Sequence, residues 1–529
     1  MRIARTDVYC RFVPFFVAMA CVLALYSCHT TRPLRQARER SIVILYENDV
    51  HCAIDGYAGM AQLRDAVADT AWVALTSSGD FLQGGTAGAL SRGQYIADIM
   101  RAMRYDAVAL GNHEFDFGIP HMKQLLRTAA LPVTCVNLRD LSCDSIVYTP
   151  YIIKTYGNKR IAFVGVTTPS AFYTEQYAFR SADGLVHHDL CETEVYALVQ
   201  KAVDEARGNG ADYVVALSHL GESDSPLNVT SHGLVAATSG IDAVLDGHSH
   251  SVVECCMVKN RLGRMIPVTQ TGTQFANIGK LLISPDGGIS THLVPVPTLL
   301  SHKTGYGEEV RCVVDSVKAL MSEVIKEEVC RTSFPLSILD SAGRQHVRYA
   351  ETNAGNVVTD ALRAYTGADV AIMNGGGIRT GIAEGIVTVG DVVAMMPYDN
   401  AVAVLQITGG ELLALLEACC GSAPRESGDF PQVSGISFRL CNDMTPRVRD
   451  LQILDASTGV YRPIDLTATY SLATIEYDIT GGGLHDMLRT ATRVKDYQTT
   501  DTQVVIWYLK EKLRGVLTDD YRGVQGRIR

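Results

Sequence analysis

The stretch Ala107-Val108-Ala109-Leu110-Gly111-Asn112-His113-Glu114-Phe115-Asp116 decides how this chain folds. Four apolar residues give way abruptly to a glycine, then to an amide, an imidazole and two carboxylates. A short apolar run of this kind reads as a buried strand, which puts the polar residues at its carboxyl end. Four other segments repeat the layout. Residues 42–46 lead into Asn48-Asp49-Val50-His51, 72–76 into Gly79-Asp80, 213–217 into Ser218-His219, and 243–245 into Gly247-His248-Ser249-His250. The runs are rich in β-branched residues and separated by helix-length segments, which predicts buried parallel strands. In an open α/β sheet, ligands bind in the crevice outside the carboxyl ends of the strands, where all of these polar residues fall.

Carboxylate, imidazole and amide donors suit borderline divalent ions such as Zn, Mn, Co or Fe, and one Asp can bridge two of them. Asp80 is assigned that bridge. Asp49, His51 and His250 then complete the shell of one ion, and Asn112, His219 and His248 the shell of the other. Two ions about 3.5–4 Å apart clamp the attacking and leaving oxygens of an in-line displacement and lower the pKa of a bound water, so no side-chain nucleophile is needed. Taken singly each fragment is weak, because Asp or Asn after a strand is commonly a turn or cap residue. Their order and their placement at strand ends carry the reading.

On these residues the chain resembles the calcineurin-like metallophosphoesterases and, within them, the secreted 5'-nucleotidase family of the bacterial periplasmic or surface UDP-sugar hydrolase/5'-nucleotidase type. The resemblance implies an α/β fold: an N-terminal four-layer metallophosphoesterase domain, a linker helix, and a C-terminal α/β nucleotide-binding domain. It also implies that Asn112 is a ligand while His113 and Asp116 form a catalytic dyad. The chemistry agrees, since His113 can donate to a phosphoryl or leaving oxygen and Asp116 can fix its tautomer and favour its charged form. Two positions depart from the family. Cys52 stands where Gly is usual, readable as a soft extra ligand or as a small buried thiol, and His250 stands where an amide is frequent.

Length and composition are those of a globular chain of two domains: 529 residues, 47% hydrophobic and 20% charged. A net charge of −10 argues against a nucleic-acid polymer or an anionic membrane surface as the main partner. Arg2, Arg5 and Arg11 precede or open an apolar stretch at 12–27, too short to span a bilayer comfortably, so residues 1–28 read as a secretory signal. Its end, Leu25-Tyr26-Ser27-Cys28, resembles a bacterial lipobox that would lipidate Cys28; an ordinary signal cut nearby is the alternative. Residues 29–40 would be a tether, 41–300 the metallophosphatase domain, 301–332 the linker helix and 333–529 the substrate-binding domain. Of the 14 cysteines, Cys10, Cys21 and Cys28 lie in the leader, and the rest do not define a disulfide pattern.

Val310, Val313, Val317, Leu320, Met321, Val324 and Val329 recur at helical spacing, which predicts one amphipathic helix connecting the domains or belonging to the first. Beyond it, Arg344 and Arg348 are followed by Asn374-Gly375-Gly376-Gly377-Ile378-Arg379 and by Pro397-Tyr398. A glycine run bracketed by Asn and Arg lets the backbone approach a ligand closely. By resemblance this set lines a nucleotide pocket: Arg344, Arg348 and Arg379 on the phosphate or the anionic end near the sugar, Asn374 on the base, Gly376 in the loop, and Tyr398 stacked on one base face. Where the family has a G-G-D-G-aromatic loop, this chain has Gly481-Gly482-Gly483-Leu484-His485, so His485 takes the place of the second aromatic.

The reading is an exported nucleotide phosphohydrolase releasing phosphate and a nucleoside for salvage, with two divalent ions as cofactors and a lipid anchor as its only membrane contact. UDP-sugar hydrolysis and 2',3'-cyclic-nucleotide phosphodiesterase activity on the same scaffold are the enzymatic alternatives. A surface lipoprotein that only binds its ligand is the other, and it predicts lost ligands or a lost dyad.

Overall fold

The structure is a computed structural model and describes residues 40–180, 185–222, 227–296, 305–479, 486–489 and 491–529. The leader at 1–28, the tether up to residue 39, and His485 lie outside the described residues.

The five expected strands exist but divide between two sheets. Ser41–Glu47 runs parallel to Ala71–Ser77, which runs parallel to Ala107–Val108, and the antiparallel strands Asn277–Ile283 and Ile289–Pro295 complete a five-stranded sheet. Tyr213–His219 and Ala243–Leu245 lie in a second, six-stranded sheet, parallel to Lys159–Thr167 and Met265–Thr271, with Tyr151–Tyr156 and Val252–Lys259 as antiparallel edges. Side chains alternate across a strand, so a run that is apolar throughout must bury both faces. Here Ile42, Ile44 and Tyr46 of the first sheet meet Phe163, Val215 and Leu217 of the second. Val43, Leu45 and Leu75 face the opposite way, onto the helices Asp55–Ala68, Gln94–Met103 and Ile119–Thr128. On the far side of the second sheet, Val214, Ala216 and Val244 pack on Val195–Gly208 and Ser231–Ala237. The order is helices, sheet, sheet, helices, the four-layer arrangement expected, and the parallel strands of both sheets end along one edge. Trp72 is exposed at the outer end of its strand, against the expectation that it is buried.

The segment 301–332 is not one helix. The helix Gly305–Val324 packs Val310, Val314 and Val317 into the core of the first half, against Asp55–Ala68 and Gln94–Met103, and leaves Leu320 exposed. Val329 continued the helical spacing only by coincidence. It lies in the strand Glu328–Thr332, antiparallel to Gly385–Thr388, where a β-branched side chain fits the pleat.

The second half is built on a five-stranded sheet in the order Pro431–Ser434, Val370–Asn374, Thr469–Ile475, Ala401–Thr408, Thr492–Thr500. Asn353–Thr366 and Asp501–Trp507 cover one face and Gly409–Cys419 the other. The halves touch where Gln83 Nε2 donates to Tyr398 O at 3.4 Å and where Leu90 packs against the second core. Among the described residues no cysteine is bridged, and no helix is long and apolar enough to cross a membrane.

Candidate active site

Two strand-end turns are locked together first. Gly79 adopts φ 95°, and a Cβ on Gly111 would lie 2.1 Å from Asp80 Oδ1, so both positions require glycine for the turns to approach. Across this contact the buried carboxylate of Glu114 accepts four backbone N–H groups: Asp80 at 2.8 Å, Phe81 at 2.8 Å, Leu82 at 3.1 Å and Gly111 at 2.6 Å. Asp80 Oδ1 in turn accepts the His113 N–H at 2.8 Å.

Asp80 Oδ2 faces imidazoles. The ligating atoms of Asp49, His51, Asp80 and His250 all lie within 4.8 Å of one another, the four residues expected around one ion. His51 Nε2 is 3.0 Å from His250 Nε2, and His250 Nε2 is 3.5 Å from Asp49 Oδ1. His219 Nε2 lies 3.1 Å from Asp80 Oδ2 and 3.8 Å from Asp49 Oδ1. His219 Nδ1–H donates to Ser78 O at 2.7 Å and His51 Nδ1–H to Gln83 O at 3.3 Å, so each turns its Nε2 lone pair inward. His248 Nδ1 lies 2.9 Å from Asn112 Oδ1, and Asn112 Nδ2 donates to Glu175 Oε1 at 3.3 Å, which turns the amide oxygen toward the site. The His219 and His248 rings are 5.3 Å apart between centroids. All seven expected ligands therefore converge.

The backbone is held against its preference to do this. Asp49, His51, Asp80, His248 and His250 have φ of 51°, 43°, 60°, 76° and 55°, a left-handed conformation costing roughly 1–2 kcal/mol per residue. Such strain persists only where the surroundings impose it. Asn48 donates to Asp49 Oδ2 at 2.6 Å, and the His248 N–H donates to both Asp49 oxygens at 3.1 and 3.0 Å.

This donor set fits a divalent cation. Burial lowers His51 and His248 to about 4, so both are neutral and free to ligate. Burial opposes charge on His219 too, but Asp80 and Asp49 outweigh it and raise it to about 10. His219 Nε2 is buried and faces the two carboxylates, and a cation there would replace the proton. Cys52 does not join the cluster. Its thiol donates to Phe81 O at 3.4 Å and Leu82 O at 3.3 Å, and burial holds its pKa well above the ordinary value, so it is the small buried thiol of the two readings.

Beside the cluster, His113 Nδ1 lies 2.8 Å from Asp116 Oδ2 across the turn His113–Phe115. Burial works against a charged His113, yet Asp116 and Asp80 raise its pKa well above the usual imidazole value, so it holds a proton to donate. The pair opens onto a cavity of 590 Å³ between the two halves, which Arg348, Asn374, Gly376, Arg379 and Tyr398 line from the other side. Arg379 stands over the Tyr398 ring, its guanidinium carbon 5.9 Å from the centroid.

Arg344 is a correction. It does not line the cavity; it is exposed, paired with Asp340 at 2.8 Å and donating to Tyr349 Oη at 3.0 Å, because the tight turn at 340–344 folds it back on its own segment. Sequence reasoning also missed residues. Glu114 sat inside the quoted fragment with no role, and Glu175 had no motif. Tyr477 lines the cavity from the short helix Glu476–Ile479, just before the glycines, whereas the sequence reading looked just after them.

The comparisons agree with this geometry. Residues 329–490 match the family profile of the 5'-nucleotidase C-terminal domain, and residues 73–263 match that of the bacterial capsule synthesis protein PGA_cap. The chain is 26% identical to the trifunctional nucleotide phosphoesterase protein YfkN of Bacillus subtilis, over 92% of this chain but only 35% of that longer protein. It is also 26% identical to the snake venom 5'-nucleotidase of Gloydius brevicauda, over 92% of this chain and 88% of the other. Among solved structures, the 5'-nucleotidase precursor from Thermus thermophilus matches with a TM-score of 0.57 and 25% identity, covering 92% of this chain and 99% of that one.

Proposed function

We propose, for a chain that belongs to the 5'-nucleotidase family, that it is an exported metal-dependent phosphohydrolase releasing inorganic phosphate and a nucleoside from nucleotides. One observation carries this reading: a single cavity, of a size ordinary for small ligands, is lined at once by the His113–Asp116 pair and by Arg348, Asn374, Tyr398 and Tyr477. Hydrolytic machinery and groups suited to a nucleotide thus face one space.

In this reading Asp80, Asp49, His51 and His250 would hold one divalent cation, and Asn112, His219 and His248 would hold a second beside it, with Asp80 shared between the two. Bound there, two such ions would supply charge neutralisation at the phosphoryl group and an activated water. His113, its ring fixed by Asp116, donates a proton or hydrogen bond to the phosphoryl or leaving oxygen. Arg348 and Arg379 hold the anionic end, Asn374 hydrogen-bonds the base, and Tyr398 and Tyr477 offer it flat faces. The catalytic domain extends through the helix Gly305–Val324, and the substrate-binding domain begins with the strand Glu328–Thr332. The charged and apolar leader ending at Cys28 supports export with a lipid anchor.

Phosphate release from AMP, UDP-glucose and 2',3'-cyclic AMP, by protein stripped with a chelator and then given Mn, Co or Zn, tests the reading. Release from AMP that depends on added metal is expected. No release from any nucleotide with any of the three metals would overturn it.

A further inference from the structure

Asp429 lines the cavity from the loop at 427–430, yet nothing above uses it. That loop is pinned to the glycine run: the Gly375 N–H donates to Phe430 O at 2.7 Å and the Gly376 N–H to Gly428 O at 2.8 Å, and a Cβ on Gly376 would lie 3.0 Å from Gly428 Cα. The contact brings Asp429 next to the segment that carries Asn374. Asn374 Nδ2 donates to Gly428 O at 3.4 Å, which leaves its Oδ1 as a buried acceptor without a partner. The Asp429 N–H donates to Ser427 Oγ at 3.2 Å, but no donor or cation meets its carboxylate among the described residues. Acceptors held in a site without donors cost free energy unless a ligand supplies them. This wall of the cavity therefore suits a ligand edge rich in N–H groups.

Position says which part of a nucleotide that edge belongs to. Burial, with Asp478, Asp429 and Tyr398 adding to it, holds the Tyr477 hydroxyl above its usual pKa, so Asp429 shares one corner of the cavity with both rings proposed to stack on the base. The bases differ in what they offer a carboxylate there. Guanine presents N1–H and its 2-amino group side by side, two parallel donors matched to two carboxylate oxygens, and a third N–H remains for an acceptor such as Asn374 Oδ1. Adenine and cytosine each set an amino group beside a bare ring nitrogen, and uracil sets one N–H between two carbonyls. In each of these a carboxylate oxygen meets a lone pair.

We infer that Asp429 is a specificity residue that reads the base, its carboxylate accepting hydrogen bonds from N1–H and the 2-amino group of guanine, so that the site prefers guanine nucleotides to those of adenine. The inference rests on the nucleotide reading above and deepens it by naming the base and the residue that selects it.

The test compares kcat/KM for GMP, IMP and AMP, with p-nitrophenyl phosphate as a base-free ester, in the full chain and in Asp429→Asn and Asp429→Ala, all loaded with the same metal. Paired hydrogen bonds to a charged acceptor predict that the full chain prefers GMP over AMP by about tenfold to a hundredfold. IMP, which keeps N1–H but lacks the amino group, should fall between them. Both substitutions should bring the ratio of GMP to AMP down toward one, the loss falling on GMP, and the nearly isosteric Asp429→Asn guards against misfolding of the alanine variant. Equal kcat/KM for GMP and AMP in the full chain would overturn the inference. So would a preference for GMP that survives both substitutions, which is the outcome if Asp429 only supports its loop. Hydrolysis of p-nitrophenyl phosphate with no nucleotide accepted would instead remove the nucleotide reading, and this inference with it.

Discussion

The carboxylate of Glu114 accepts the backbone N–H of Asp80 at 2.8 Å, so the residue proposed to bridge two cations is held through its main chain by a neighbour that is not itself a ligand. The same carboxylate takes the N–H groups of Phe81, Leu82 and Gly111, which ties the two strand-end turns into one unit.

Glu114→Gln should therefore damage a site it does not line. An amide offers one acceptor oxygen and turns an NH₂ toward N–H groups that need acceptors, leaving buried donors unpaired at a cost of about 1–3 kcal/mol each. Thermal unfolding should shift to lower temperature, and bound metal should fall in parallel. Wild-type unfolding with full metal content would show that the clamp is dispensable.

Asp80→Asn should abolish turnover and lower metal content, because a neutral amide cannot bridge two cations as a carboxylate does. Metal analysis of the purified variant decides the matter, and full occupancy with normal activity removes the bridging role.

His113→Ala should behave differently, keeping its metals while losing roughly a hundredfold or more in turnover, the scale of a lost general acid. Falling metal content in this variant would make His113 a ligand and the dyad assignment wrong.

For Tyr398→Ala and Tyr477→Ala, hydrolysis of AMP should weaken relative to that of p-nitrophenyl phosphate, which has no base to stack. Stacking worth about 1–3 kcal/mol corresponds to roughly tenfold to a hundredfold in kcat/KM. Proportional losses on both substrates would mean that these rings do not read the base.

Asp478 provides a prediction about pH. Burial raises its pKa to about 8, with Thr474 and the Asn374 N–H only partly opposing, and its Oδ1 has no partner. The folded state holds a proton that the unfolded chain releases near pH 4. The stabilisation is thus complete below that pH and is lost as pH rises toward 8, at up to about 1.4 kcal/mol per unit. Asp478→Asn should gain stability relative to the parent chain between pH 5 and pH 8. Denaturant midpoints at the two pH values check it, and a difference that does not change with pH would mean that Asp478 does not titrate in this window.

The metal cluster was legible in the sequence because its residues are local consequences of local pattern. Each of Asp49, His51, Asp80, Asn112, His219, His248 and His250 follows an apolar run, and the end of a buried strand is a definite place. That the runs form two facing sheets was decided by tertiary packing, since a strand apolar on both faces can bury them against helices or against another sheet. Val329 kept the spacing of a helix and became a strand because its partner, Gly385–Thr388, lies more than fifty residues away in the chain. Arg344 looked like Arg348 in sequence, and only the turn back to Asp340 separated their fates. The cavity between the halves, with Glu175, Asp399 and Tyr477 on its walls, exists only once distant segments are brought together. Sequence alone determined which residues could bind metal and where their strands end; the tertiary structure alone decided which buried polar groups are left without partners, because that depends on every neighbour the fold brings to them.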